Sequence, residues 1–371
     1  MHSLAIDCRM INASGIGVYL QNILPYLTKH FQVYFIGIKA DIKHFEWATP
    51  NRIIEVNSGI YSIKEQLELP LAVPKCDIFW SPHYNVPLLP IKAKIRIVTI
   101  HDTYHLAFSN NLSPLQKIYS KILFKGASTL SDKIITVSRF SENEIYKYTA
   151  AKETSVTSIH NGVDKTLFNI KDSQVTGHRL ASLYPLLPSK YLLYIGNVKP
   201  HKNLSSLVKA FASLNNKIGN DIGLVIVGKK SGFITGDNEL IELIETDSFL
   251  KSNVFFTGHV PEKHLPILYA EASIFVFPSI YEGFGLPPLE AMSCGCPVLA
   301  SDAASIPEIC GEAAMYFSPH DTEDLSKKIQ LLLTNNKLRE EMKAKGLKQA
   351  LLYDWETTAE KHIAVFNNVV C

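Results

Sequence analysis

The sequence predicts an α/β protein of two doubly wound parallel-sheet domains facing across a cleft, and three observations lead to that class. Short runs rich in β-branched and aromatic residues recur at 96–100, 133–137, 223–227 and 272–277. Strands buried on both faces of a parallel sheet read this way, without alternation. Segments with apolar residues at helical spacing separate the runs, as crossover connections require. The third observation is length: 371 residues exceed one domain of usual size. The runs also fall into two series divided by residues 170–190, where Gly177, Pro185 and Pro188 sit among mixed polar residues. The expected domains are therefore 1–175 and 191–354, with a linker over 176–190 and a closing helix over 355–371 that returns to the first domain.

Composition narrows the classes of partner. With 37 basic against 35 acidic residues, the chain has no strong field for nucleic acid or an anionic membrane as a whole. The six cysteines are scattered, and Cys294 with Cys296 has no second pair at zinc spacing, so reduced, mostly buried thiols are expected. Asp7 and Arg9 interrupt the N-terminus before a signal-peptide core develops, and no run reaches the length of a membrane span. The expectation is a cytoplasmic protein.

In the first domain, the strand at 4–6 leads through Asp7 to Asn12-Ala13-Ser14-Gly15-Ile16-Gly17 and then to a helix from Val18. Strand, glycine loop and helix in that order bring backbone amides to a diphosphate or sugar, but Gly15 and Gly17 lack the third glycine of a dinucleotide fingerprint, and a plain turn is the competing reading. A further strand occupies 33–38. The runs from 77 and from 96 end on polar residues, Ser81-Pro82-His83 and His101-Asp102. Ligands of open α/β sheets bind beyond the carboxyl ends of strands, so His101 and Asp102 are candidates, against a histidine that satisfies carbonyls and an aspartate that caps the next segment.

Residues 114–125 form a basic amphipathic helix with Lys117, Lys121 and Lys125 at i, i+4 and i+8. This is either a solvated face or a surface for anionic lipid headgroups, peripheral at the inner face of the membrane. The strand from 133 ends in small polar residues with Ser138 as N-cap of a helix, and Arg139 either meets an acceptor or is exposed. A strand at 156–159 and the Asn161-Gly162 turn close this half.

The second series opens with a strand at 191–196. Its turn, Asn197-Val198-Lys199-Pro200-His201-Lys202-Asn203, puts two lysines near the start of a helix, where an ammonium either neutralises a diphosphate or is simply solvated at the surface. Strands at 223–228 and 254–258 and a helix at 265–272 precede the densest stretch, which follows the strand at 272–277. There Gly283 and Gly285 can take φ > 0 and let amides approach a ligand. Pro287 and Pro288 suit a first helical turn whose N-terminus favours negative charge. Glu282 falls in the loop and Glu290 in the helix. A tight βα turn with Glu282 solvated and Glu290 a favourable charge at the helix N-terminus is the plainer alternative. A strand at 297–300 and helices at 325–333, 338–352 and 355–369 follow.

The ordered set is more specific than its parts. Two glutamates stand seven residues apart in Glu282-Gly283-Phe284-Gly285-Leu286-Pro287-Pro288-Leu289-Glu290, supported by Gly196-Asn197 with Lys202-Asn203, by Val137-Ser138-Arg139-Phe140-Ser141, by Asn161-Gly162-Val163-Asp164 and by Thr257-Gly258-His259-Val260. Over nearly its whole length the chain resembles a family 4 retaining glycosyltransferase of GT-B fold, with two Rossmann-like domains. The resemblance implies that Glu282 meets donor-sugar hydroxyls, Glu290 the ribose hydroxyls, Lys202 the diphosphate, residues near Val260 the base, and that His101 sits at the sugar beside the reacting centre. Phe284 and Leu286, with the two glycines, would lend backbone to the donor. Many members carry an arginine five residues before the lysine; here that position is Asn197, and Lys199 is the candidate to compensate.

The resemblance is strongest to GDP-mannose-dependent mannosyltransferases of surface polysaccharide assembly, such as lipopolysaccharide. It implies transfer of a hexose, mannose first, to a hydroxyl of a glycan or lipid-linked saccharide. The alternatives are a UDP-sugar-dependent transferase of the same family and a non-catalytic subunit that binds nucleotide or a partner. No cofactor is expected, and no aspartate pair flanks a single residue at a strand end to suggest a metal. Lys202 and the helix N-terminus would stabilise the leaving diphosphate.

Overall fold

The computed structural model describes residues 1–48, 52–152, 155–169, 177–215, 222–228 and 238–370. The chain forms two compact units, Met1–Gly162 with Asp354–Cys371, and Val163–Tyr353. The division at Gly162 precedes the 176–190 segment, whose described part carries the helix Gly177–Leu183 inside the second unit. Residues 170–176 lie outside the described residues. Gly162 is required by close approach, since a Cβ there would stand 2.3 Å from the backbone nitrogen of Trp355.

Among the described residues, unit 1 contains seven strands, β1 (Ser3–Asp7), β2 (Gln32–Gly37), β3 (Ile53–Glu55), β4 (Cys76–Ser81), β5 (Ala93–Ile100), β6 (Lys133–Thr136) and β7 (Val156–Ser158), ordered β3-β2-β1-β4-β5-β6-β7. All pairs are parallel, as continuous apolar runs require. The strand order reverses between β1 and β4. In unit 2, β8 (Tyr191–Ile195), β9 (Gly223–Val227), β10 (Val254–Gly258), β11 (Ile274–Phe277), β12 (Val298–Ser301) and β13 (Ala314–Phe317) are ordered β10-β9-β8-β11-β12-β13, again all parallel. Here the reversal falls between β8 and β11. Each unit is thus the doubly wound α/β layer expected.

Register assigns the faces. In unit 1, Ala5, Phe79, Val98 and Ile100 lie on one side of the sheet and pack with Leu69, Phe124, Ala127 and Ile145. The opposite side, carrying Trp80, Ile97 and Thr99, is met by the helices Ser14–His30 and Trp355–Val370. There a directed chain of hydrogen bonds runs through the core. His362 Nδ1 donates to Thr358 O (2.7 Å), which leaves Nε2 to accept from Tyr19 Oη (2.6 Å). Tyr19 lies 3.1 Å from Thr99 Oγ1, which accepts from Trp80 Nε1 (3.0 Å). The C-terminal helix is therefore an integral layer of unit 1. In unit 2, Leu192, Leu224, Ile226, Ile274 and Leu299 pack with Leu207, Phe211 and Ile329.

Cys8, Cys76, Cys294, Cys296 and Cys310 are free, buried thiols. No helix among the described residues is long and apolar enough to cross a membrane.

Candidate functional site

In unit 2 the loops that leave β8 and β11 meet where the strand order reverses, the crevice in which open α/β sheets bind ligands. The β8 loop ends in a single 3-10 turn, Pro200–Lys202, after which Asn203 takes the left-handed region (φ 54°). Its side-chain amide donates to the carbonyls of Pro278 (3.1 Å) and Pro319 (2.8 Å), and Ile280 N donates to His201 O (2.8 Å). These bonds fasten the β8 loop to the β11 loop. The result is a Lys202 Nζ–Glu282 Oε1 pair at 2.6 Å, with side chains 22 % and 12 % exposed. Lys202 and Glu282, for which the resemblance implies contacts to diphosphate and sugar, are therefore neighbours, each holding the other's head group in place.

The backbone after Glu282 is held from below. Ser305 Oγ lies 2.9 Å from the carbonyls of both Glu282 and Phe284, and Ser301 Oγ donates to Ser279 O. Of the two glycines in this turn, Gly285 has positive φ (101°) and precedes the helix Leu286–Ser293, with Pro287 and Pro288 in its first turn as expected. The prolines remove two N–H donors from the first turn of this helix, so an anion placed there would depend on the backbone of the Gly283–Leu286 segment. Phe284 is buried beside Tyr353, ring centroids 5.9 Å apart, so only its backbone is suited to a ligand.

Glu290, in the same helix, accepts a hydrogen bond from Tyr269 Oη (2.8 Å). The residue retains some exposure, yet burial of the carboxyl raises it to about 7; the tyrosine bond opposes the rise and Glu262 adds to it. Asn197 and Lys199 are exposed in the β8 loop. Val260 is buried just beyond edge strand β10, two strands from β8.

In unit 1, the helix begins at Ser14, so Gly15 and Gly17 lie in its first turn rather than in a preceding loop. Gly15 is exposed with open space beside it. Gly17 is buried, and a Cβ there would stand 2.5 Å from Ile11 O, a packing reason for glycine. His101 follows β5; its Nε2–H donates to Pro82 O (2.9 Å), the Tyr19 ring meets it edge-on at 4.9 Å, and burial lowers its pKa. Asp102 accepts from Tyr104 N (2.9 Å). Both contacts match the plainer reading of these two residues. Ser138 caps the helix Arg139–Tyr148 by accepting from Ser141 N (3.0 Å), Ser141 Oγ donates to His101 O (3.0 Å), and Arg139 is exposed.

Sequence reasoning missed Asn203 as a fastener, Ser301, Ser305 and Tyr269. It also missed the buried Asp7–Arg9–Glu65 network between the end of β1 and the start of the helix Glu65–Ala72, for which Asp7 and Arg9 beside a strand end were the available signal. Among the described residues no group of three or more His, Cys, Asp or Glu side chains is placed to hold a metal ion.

Comparison with known proteins agrees with this layout. The model for Glycosyltransferase Family 4 matches residues 13–167 and that for Glycosyl transferases group 1 matches 186–349. The O-antigen chain mannosyltransferase B of Escherichia coli is 35 % identical over 293 residues, covering 78 % of this chain and 74 % of that protein. The serotype-specific mannosyltransferase WbdA of Escherichia coli is 32 % identical over 235 residues, 63 % of this chain but 28 % of the much longer relative. Anabaena Alr3699/HepE, solved in complex with UDP-glucose, superposes with a TM-score of 0.78 at 15 % identity, covering all of both chains. The chain belongs to the family 4 glycosyltransferases and has their GT-B fold.

Proposed function

We propose that the chain is a retaining glycosyltransferase that moves a hexose from a nucleotide-diphosphate sugar to a hydroxyl of a glycan or lipid-linked saccharide, without a metal. The observation that carries this reading is the Lys202–Glu282 pair at the strand-order reversal of unit 2, beside the Gly283–Leu286 turn. In this reading Lys202, assisted by Lys199 and by backbone amides, takes up charge that develops on the departing diphosphate. Glu282 accepts hydrogen bonds from sugar hydroxyls, Glu290 from the ribose, and the Val260 region borders the base. Attack from the leaving-group face on an oxocarbenium-like sugar retains configuration. In unit 1 the exposed Arg139 and the Gly15 turn are the acceptor candidates, since His101 and Asp102 hydrogen-bond the backbone and Ser138 caps a helix.

The names of the two Escherichia coli relatives favour mannose, for which the resemblance implies GDP-mannose as donor. The UDP-glucose complex of the Anabaena protein favours a UDP-sugar as the second reading. Thermal-shift titration with GDP, UDP and ADP separates them, because a ligand of the native state raises apparent stability by mass action. In transfer assays Lys202→Ala and Glu282→Ala are each expected to lose more than tenfold, about 1.4 kcal/mol of transition-state stabilisation. Losses below that sink the assignment.

A lipid-linked acceptor would bring the chain to a membrane, and the helix Pro114–Leu130 suits that contact. Its outward face carries Leu115 (80 % exposed), Ile118 (58 %) and Ile122 (50 %) beside Lys121 and Lys125, with Lys117 partly covered. The helix contains no acidic residue. Apolar side chains interleaved with lysines fit an anionic headgroup layer better than water alone.

A further inference from the structure

Unit 1 has its own strand-order reversal, between β1 and β4, and a polar constellation fills it. Arg9 is held by Asp7 through Nε–Oδ1 (2.9 Å) and Nη2–Oδ2 (2.7 Å), and by Glu65 through Nη1–Oε2 (2.8 Å). Glu65 Oε1 accepts from Asn85 Nδ2 (2.6 Å) and Tyr119 Oη (3.0 Å). These groups spend their hydrogen bonds on one another.

His83, two residues beyond β4, does not. It is 3 % exposed, and its Nδ1 accepts from Asn85 N (2.9 Å). Burial holds the ring neutral, its pKa pushed down to about 3, so the proton sits on Nε2. That nitrogen is buried and has no hydrogen-bond partner. An unmet buried donor costs about 1–3 kcal/mol, so it calls for a use.

A second, independent observation lies over the same residue. Tyr61 takes a left-handed backbone conformation (φ 66°), which costs a bulky residue about 1–3 kcal/mol. The conformation sets its ring centroid 5.9 Å from His83, 6.1 Å from Tyr84 and 6.3 Å from Tyr119, while the residue stays 48 % exposed. Asp7, Arg9 and Glu65 together carry one net negative charge, and both Glu65 and Asp102 act electrostatically on the Tyr61 hydroxyl. Such a setting repels phosphate and carboxylate. It suits a neutral ring that offers hydroxyls to a buried donor and C–H groups to an aromatic face.

We propose that His83 and Tyr61 form a saccharide subsite in unit 1, in which His83 Nε2–H donates to one sugar hydroxyl and the Tyr61 ring covers a C–H face. Its assignment to the acceptor rests on the glycosyltransferase reading; the binding itself does not. The subsite makes acceptor choice depend on one hydroxyl, because a site built around a buried donor discriminates strongly against the analogue that lacks its partner.

The test titrates the full chain, with its histidine imidazoles labelled with nitrogen-15, with methyl glycosides of mannose, glucose, galactose and N-acetylglucosamine, and separately with GDP and UDP. A saturable shift of the His83 Nε2 resonance with at least one glycoside is expected, with at least tenfold weaker binding in His83→Ala and in Tyr61→Gly, and unchanged nucleotide binding in both. Glycine suits φ of 66°, so Tyr61→Gly should fold at least as well as the wild type and decides the matter if His83→Ala does not fold. No glycoside binding by the wild type, or affinity within twofold in Tyr61→Gly, overturns the subsite and leaves His83 with a structural water only. Glycoside binding without any nucleotide binding supports the subsite and overturns the donor reading instead.

Discussion

Burial lifts the Glu290 carboxyl to about 7 from an ordinary value of 4.5. A carboxyl raised on folding contributes stability that is complete below the unfolded value and is lost as pH rises through the folded one. The window is therefore pH 4.5 to 7, and the full span is at most about 3 kcal/mol. Glu290→Gln, which does not titrate, should melt above the wild type at pH 8 and converge with it near pH 4.5. If the ionised form holds the ribose, wild-type nucleotide affinity should also rise between pH 6 and 8, and the variant's should stay flat. Glu282, Glu290 and Lys202 were legible because glycine, proline and charge cluster around them within a few positions. Their pairing was not, since Lys202 and Glu282 lie 80 residues apart in sequence and meet through Asn203 and Ile280. Tyr269 and Ser305 carry no local mark at all; a hydroxyl's partner is decided by the fold.

The donor turn and the basic helix show what whole elements add. Ser305 is a single hydroxyl between two carbonyls, and Ser305→Ala removes the one O–H that they share. The expected loss is about 1–3 kcal/mol, read as a lower melting temperature together with a raised KM for the donor as the Glu282–Phe284 backbone loosens. In the helix Pro114–Leu130, the core is met by Leu123, Phe124 and Ala127, while Leu115, Ile118 and Ile122 turn outward with the lysines. Periodicity exposed the lysines but could not say which apolar residues accompany them. Changing Ile118 and Ile122 to serine removes side chains worth about 1.5–3 kcal/mol each when fully buried, so partitioning onto anionic vesicles should fall at least tenfold. Lys117, Lys121 and Lys125 to glutamine should reduce it further and abolish its salt dependence. Equal partitioning of both variants and wild type defeats the membrane reading. Central strands were legible as apolar runs. Edge strands β3 and β13, short and only partly buried, carry no such run and went unread.

The two units follow one plan, with polar loops gathered at each strand-order reversal, yet the sequence misplaces where one ends. Composition marks 176–190 as a linker, but Phe168 is already bound into unit 2, its carbonyl accepting from Ser293 Oγ (2.6 Å) and its ring 6.1 Å from Tyr269. Unit 1 is discontinuous because Trp355–Val370 supplies His362 and Phe366 to its core. A fragment spanning 163–353 should therefore fold and bind nucleotide, whereas 1–162 should not fold without residues 354–371; circular dichroism and nucleotide titration check both. The units should also answer acid in opposite directions. In unit 1, burial holds His362 down to about 4 and His83 to about 3, below the ordinary 6.5. A histidine lowered on folding contributes stability that is present above pH 6.5 and is lost as pH falls toward the folded value. In unit 2 the raised Glu290 gains stability over much of the same interval. Scanning calorimetry from pH 8 to pH 5 should thus show one transition moving down and the other up. His362→Gln should flatten the first, and Glu290→Gln the second. A single transition that shifts uniformly in all three proteins would contradict the assignment of these groups to separate units.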